Sequence, residues 1–110
     1  MEAKATAKTV RISPSKARLV TRLISGRPVP DALRILQFSS KKAARLVEKV
    51  LRSAVANAAA RGAIQAEELK VTAATADEGP RMRRFRPAPR GRAMRIIKRT
   101  SHISVTVADE

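Results

Sequence analysis

Two runs of alternating apolar and polar residues lie far apart in this chain, and the stretch between them is too long to sit on a compact core. Leu69, Val71 and Ala73 alternate with Lys70 and Thr72, and Ile103, Val105 and Val107 alternate with Ser104 and Thr106. Period two marks half-buried strands, so the runs are expected to pair antiparallel in one sheet. Between them, two arms of about 17 residues flank the turn-rich Pro87-Ala88-Pro89-Arg90-Gly91, each spanning on the order of 55 Å at ~3.3 Å per residue. A chain of 110 residues makes one small domain, with a radius of gyration of only ~13 Å. Only the outer ends of the arms can therefore lie on the core. The expectation is a single domain over 1–110, globular at about 1–78 and 99–110, with an extended β-hairpin projecting at about 79–98.

The chemistry of that projection is one-sided. From Gly79 to Ala108 there is no acidic residue, and nine are basic: Arg81, Arg83, Arg84, Arg86, Arg90, Arg92, Arg95, Lys98 and Arg99. Eight of these are Arg, whose planar fork grips phosphate bidentately and stacks on bases as Lys cannot. Apolar/polar alternation breaks down here, so neither face reads as a buried sheet surface. An isolated ribbon of this kind is marginal in water and makes physical sense when a partner orders it. A charge run ordinarily means a disordered loop. The spaced Met82, Phe85, Met94, Ile96 and Ile97 favour a strand ribbon instead.

The whole chain carries 24 Lys and Arg against 9 Asp and Glu, a formal net charge of +15. Such self-repulsion points to a polyanionic partner. Nucleic acid is favoured over membrane, because no run approaches ~18 apolar residues. Nor do the cations flank a Leu/Phe-rich amphipathic face. The apolar content is mostly Ala, Val, Leu and Ile, which suits tight helix packing better than a large ligand cavity.

Upstream, residues 5–12 read as a strand with Val10 and Ile12 on one face and Arg11 on the other. Ser13-Pro14 supplies a capping hydroxyl and a proline for the first helical position, and Gly26 a stop, so a helix is expected at about 14–25. Its stripe is Ala17, Val20 and Ile24, with Leu19 and Leu23 beside them; Lys16, Arg18 and Arg22 lie largely outside it. Pro30-Asp31 can open a second helix through Phe38, with Leu33, Ile35 and Leu36 inward, and Ser39-Ser40 can cap a third from about 41 to 61, ending at Gly62. On that helix Lys41, Arg45, Lys49 and Arg52 fall within roughly 80° of arc at about 100° per residue. Ala43, Val47, Val50, Leu51, Ala54 and Ala58 take the opposite arc, giving a core face and a basic ridge. Taken alone, such a ridge is more readily a solvated helix surface.

Catalysis finds no footing. There is no Cys, and His102 is the only histidine, which removes thiol chemistry, paired imidazoles and the usual zinc spacings. Ser101 beside His102 does not make a triad; a polar strand residue or RNA contact is the better reading. Asp77-Glu78 precede Gly79-Pro80 and read as part of a turn or bulge where the hairpin leaves the core. No Gly-rich phosphate loop and no aromatic stacking motif is present. No cofactor or metal is expected. Met1-Glu2-Ala3-Lys4 lacks an apolar secretion segment, which makes a cytoplasmic setting the default. A free regulator inserting a basic β-arm into a DNA groove is the alternative. Such arms come from dimers, and no apolar dimer seam is evident. A nucleic-acid enzyme would need clustered carboxylates or histidines.

Several blocks together carry a resemblance. They are Ser13 with Lys16-Ala17-Arg18-Leu19-Val20, Lys41-Lys42-Ala43-Ala44, Lys49-Val50-Leu51, Ser53-Ala54, Ala56-Asn57-Ala58, Asp77-Glu78-Gly79-Pro80, Pro87, Gly91-Arg92-Ala93, and Lys98-Arg99-Thr100-Ser101-His102-Ile103. Over nearly its whole length the chain resembles the bacterial large-subunit ribosomal protein twenty-two family, whose long β-hairpin reaches the peptide exit tunnel. The last block is the most specific. The resemblance implies an α+β fold, three helices on a three-stranded antiparallel sheet, with the long hairpin threading between rRNA domains. It implies a structural role in the large subunit and its early assembly, as one copy bound to several domains of 23S rRNA and to neighbouring ribosomal proteins. Nascent peptide would pass the hairpin tip, at Met82, Arg83, Arg84, Arg90, Gly91 and Arg92. The expected rRNA-binding residues are Arg11, Lys16, Arg18, Arg22, Lys41, Arg45, Lys49, Arg52, Arg81, Arg83, Arg84, Arg86, Arg95, Lys98, Arg99 and His102. Departures from the family pattern are Pro28-Val29-Pro30 where a polar cap is usual, the second proline Pro89, and the bulky, basic Phe85-Arg86.

Overall fold

A computed structural model describes residues 2–62, 68–87, 91 and 93–109, with the backbone alone for 86, 87 and 93–95. The order is β1 (Glu2–Val10), α1 (Pro14–Ile24), α2 (Val29–Phe38), α3 (Lys42–Ala60), β2 (Lys70–Glu78), β3 (Met82–Pro87), β4 (Ala93–Lys98) and β5 (Ser101–Ala108). β5 is the centre of an antiparallel sheet ordered β1-β5-β2, and β3 and β4 form a separate antiparallel pair. The fold is α+β. Ile103, Val105 and Val107 of β5 are completely buried under the helices, because every second residue of a central strand faces the core. α3 packs on β1 and β5, and α1 on β2.

Glycine ends both long helices. Gly26 (φ 79°) and Gly62 (φ 99°) sit just past the C-caps of α1 and α3, in the left-handed conformation that only glycine adopts freely. The Gly26 N–H donates to the Val71 carbonyl at 2.7 Å and Val71 N–H to the Arg27 carbonyl at 2.9 Å. The link to α2 therefore covers the outer edge of β2.

Local details differ from the sequence reading, each for a physical reason. β1 begins at Glu2 and stops at Val10, because Thr9 takes φ 57° and the pairing with β5 slips between Ala7 and Val10. Arg11 and Ile12 lie beyond the strand. Ala73 faces solvent, since a bulge between Val71 and Ala73 turns Ala74 and Ala76 inward instead. Ser13 stands at the α1 N-cap without a side-chain cap bond, and Lys41, rather than a serine, is the α3 N-cap. The Ser39 hydroxyl instead accepts the Lys41 N–H at 3.3 Å. Leu19 and Leu23 do not join the buried stripe of α1, which is Pro14, Ala17, Val20, Thr21 and Ile24.

At the start of the ribbon the ladder changes register. Glu78 pairs with Ser101 and Met82 with Lys98, so residues 79–81 on one arm oppose only 99 and 100 on the other. An extra residue on one arm of an antiparallel pair bends the strand locally and interrupts the ladder. The longest dimension is 63 Å and the radius of gyration 16.9 Å, against ~13 Å for a compact chain of this length.

Candidate nucleic-acid interface

Among the described residues, no side chain of the ribbon is buried. Its register sets Met82 opposite Lys98, Arg83 opposite Ile97, Arg84 opposite Ile96, Phe85 opposite Arg95 and Arg86 opposite Met94. Each of these pairs couples one basic residue with one apolar residue. Residues opposite one another in an antiparallel pair share a face, so both faces carry the mixture. This is why the sequence shows no alternation there. Arg83, Arg84 and Lys98 are exposed, as are Phe85 (72%) and Ile97 (42%). Such a surface suits an environment that is charged and flat-faced on both sides, as folded nucleic acid is. Arg81 is engaged by Glu78, Nε to Oε1 at 2.5 Å. Gly91 is described only in its backbone conformation (φ 73°). Arg90 and Arg92 lie outside the described residues, as do the side chains of Arg86 and Arg95.

A cleft of about 650 Å³ opens at the root of the ribbon. Among the described residues six cations line it, Arg11, Lys16, Lys41, Lys42, Lys98 and Arg99, and no carboxylate does. They come from the β1–α1 link, the first turn of α1, the first turn of α3 and the end of β4. The starts of α1 and α3 thus converge here. Neither helix has an acidic residue in its first turn or a side-chain cap bond, whereas α2 has Asp31. Helix N-termini carry partial positive charge and favour anions, each cation placed there costing about 0.3–1 kcal/mol. Lysines at both starts break that rule, and a bound phosphate would remove the penalty.

The ridge on α3 continues from the cleft. Lys41, Arg45, Lys49 and Arg52 are all exposed, and the opposite arc of Ala43, Val47, Val50, Leu51, Ala54 and Ala58 is buried. Arg52 is partnered by Glu48 at 3.0 Å, one turn earlier. Lys41 belongs to both ridge and cleft, and Lys98 to both cleft and ribbon, so the three surfaces run into one another.

Some expected contact residues have internal work. Arg18 Nε donates to the Ala76 carbonyl at 2.9 Å, tying α1 to β2. His102 Nδ1 accepts the Thr9 N–H at 2.9 Å, holding the strained end of β1. Arg22 is exposed in the last turn of α1, where its charge suits the helix dipole. Lys42, Leu19 and Ile97 are cleft residues that sequence reasoning missed. Lys42 falls only about 20° beyond the edge of the ridge arc at about 100° per residue, so a helical projection places it beside the ridge but not in a cleft. Among the described residues, no group of three or more His, Cys, Asp or Glu could hold a metal ion.

The family model described as ribosomal protein L22p/L17e matches residues 5–108, nearly the full chain and all of the surfaces above.

Proposed function

Because the chain belongs to the ribosomal protein L22p/L17e family, and is a structural, rRNA-binding component of the large subunit of the cytoplasmic ribosome and not an enzyme, we propose that ribbon, cleft and ridge form one continuous rRNA interface. The observation that carries this reading is the pairing in the ribbon, where a basic residue faces an apolar one at every step from Met82↔Lys98 to Arg86↔Met94. Arginines and lysines neutralise phosphates, and the interleaved apolar residues lie against bases and sugars.

In this reading residues 1–78 and 99–110 form the globular anchor. Arg11, Lys16, Lys41, Arg45, Lys49, Lys98 and Arg99 hold one part of 23S rRNA there, and residues 79–98 reach between further rRNA domains. Arg22, Arg52, Arg81, Arg86 and Arg95 add contacts along the way, while Arg18 and His102 act mainly by keeping the anchor folded. Met82, Arg83, Arg84, Arg90, Gly91 and Arg92 would stand nearest the exit tunnel, where the tip forms wall beside nascent peptide. A single copy bridging several rRNA segments and neighbouring proteins supports subunit assembly, since each bridge closes an RNA loop that is otherwise entropically open.

The test is the salt dependence of binding between the purified chain and large-subunit rRNA. About eight phosphate contacts give a log–log slope on the order of −6 to −7. A slope near −2 would mean that ribbon, cleft and ridge do not act together.

A further inference from the structure

Two large apolar side chains are exposed in a cleft lined by six cations. Leu19 on α1 is 53% exposed and Ile97 on β4 is 42% exposed, and both line the cleft at the ribbon root together with Lys16, Lys41 and Arg99. A phosphate backbone satisfies the cations but covers no apolar surface. A duplex keeps its base faces stacked inside and presents phosphates and groove edges to the protein. An unpaired nucleotide offers both a flat apolar base face and a phosphate on each side of it, and unpaired bases are what proteins read in RNA. The cleft, about 650 Å³, also lies within the ~300–1,000 Å³ typical of sites that enclose one small ligand.

We propose that this cleft seats a single unpaired nucleotide of RNA, its base against Leu19 and Ile97 and its flanking phosphates on Lys16, Lys41 and Arg99. The inference rests on the reading of the cleft as rRNA surface and deepens it. The bound element is a bulge or looped-out base, not continuous helix. The apolar contact with Leu19 and Ile97 favours an unpaired base whatever its identity, because every base offers a flat face.

The experiment compares two RNA stem-loops of the same sequence, one fully paired and one carrying a single unpaired nucleotide in the stem. Fluorescence anisotropy is measured with the full chain, Leu19→Ser, Ile97→Ser and the double variant Lys16→Ala/Lys41→Ala. Covering one large apolar side chain is worth about tenfold in affinity. The native chain is expected to prefer the bulged RNA by about that factor. Leu19→Ser and Ile97→Ser should each bring the ratio of the two affinities close to one, and Leu19→Met should restore the preference. The double lysine variant should weaken both RNAs. Equal binding of the two RNAs by the native chain, or a preference that survives both serine variants, overturns the nucleotide site. If the lysine variant nevertheless weakens both RNAs, the cleft is still an rRNA surface. If it weakens neither, that wider reading falls as well.

Discussion

Thr100 closes over Gly79. Its carbonyl accepts the Gly79 N–H at 2.9 Å, while its hydroxyl donates to the carbonyl of Pro80, one residue further on, at 2.6 Å. A Cβ on Gly79 would stand 2.6 Å from that hydroxyl oxygen. Glycine is needed here for close approach, and the buried threonine turns the register slip at the ribbon root into a fixed joint.

Gly79→Ala is therefore expected to lower stability by about 1–3 kcal/mol, the usual cost of forcing atoms into a filled space. Urea denaturation measures it. Rigid attachment of the ribbon also implies weaker rRNA binding, without any loss of charge. A variant with native stability would show that the joint yields freely.

Ser101 is fully buried and its hydroxyl donates to the Ile12 carbonyl at 2.6 Å. This bond tethers the link from β1 to α1, and so one wall of the cleft. Ser101→Ala leaves the carbonyl unpaired and should cost about 1–3 kcal/mol, read as a lowered urea midpoint with an unchanged m-value.

Arg18 and Arg22 lie one helical turn apart and should separate cleanly. Arg18→Ala loses the bond to Ala76 and should cost about 0.5–1.5 kcal/mol of stability. Arg22 has an exposed side chain, and Arg22→Ala should change stability by no more than about 0.5 kcal/mol. Equal effects in thermal denaturation would contradict the structural role given to Arg18.

The strand pairing, the three helices and the glycine stops were legible because each depends on local periodicity or on the conformational freedom of one residue type. Ala73 was misplaced because a bulge inside β2 moves every later side chain to the other face, and nothing in the alanine-rich run Ala73-Ala74-Thr75-Ala76 marks the slip. Leu19 and Leu23 looked like core by composition, although at about 100° per residue they lie roughly 160° and 120° from the centre of the buried stripe, outside it. The ridge was visible as a helical arc. The cleft was not, because Arg11, Lys42 and Arg99 meet only through tertiary packing of three chain segments.

Arg83→Ala/Arg84→Ala/Arg92→Ala removes three hairpin cations. RNA affinity should fall, and the log–log salt slope should become shallower by about 2–3. Helical circular dichroism should stay unchanged, because β3 and β4 pair with each other and not with the helices. Loss of helical signal would show that the ribbon is part of the core's support.

The most direct test of the single continuous interface is ultraviolet cross-linking of intact large subunits, with the RNA-linked peptides of this protein identified by mass spectrometry. The expected peptides contain Arg11 to Leu19, Lys41 to Lys49, and both strands of the ribbon from Arg81 to Arg99. Cross-links confined to α2 and the outer edge of β2, with ribbon and cleft peptides unmodified, would contradict it.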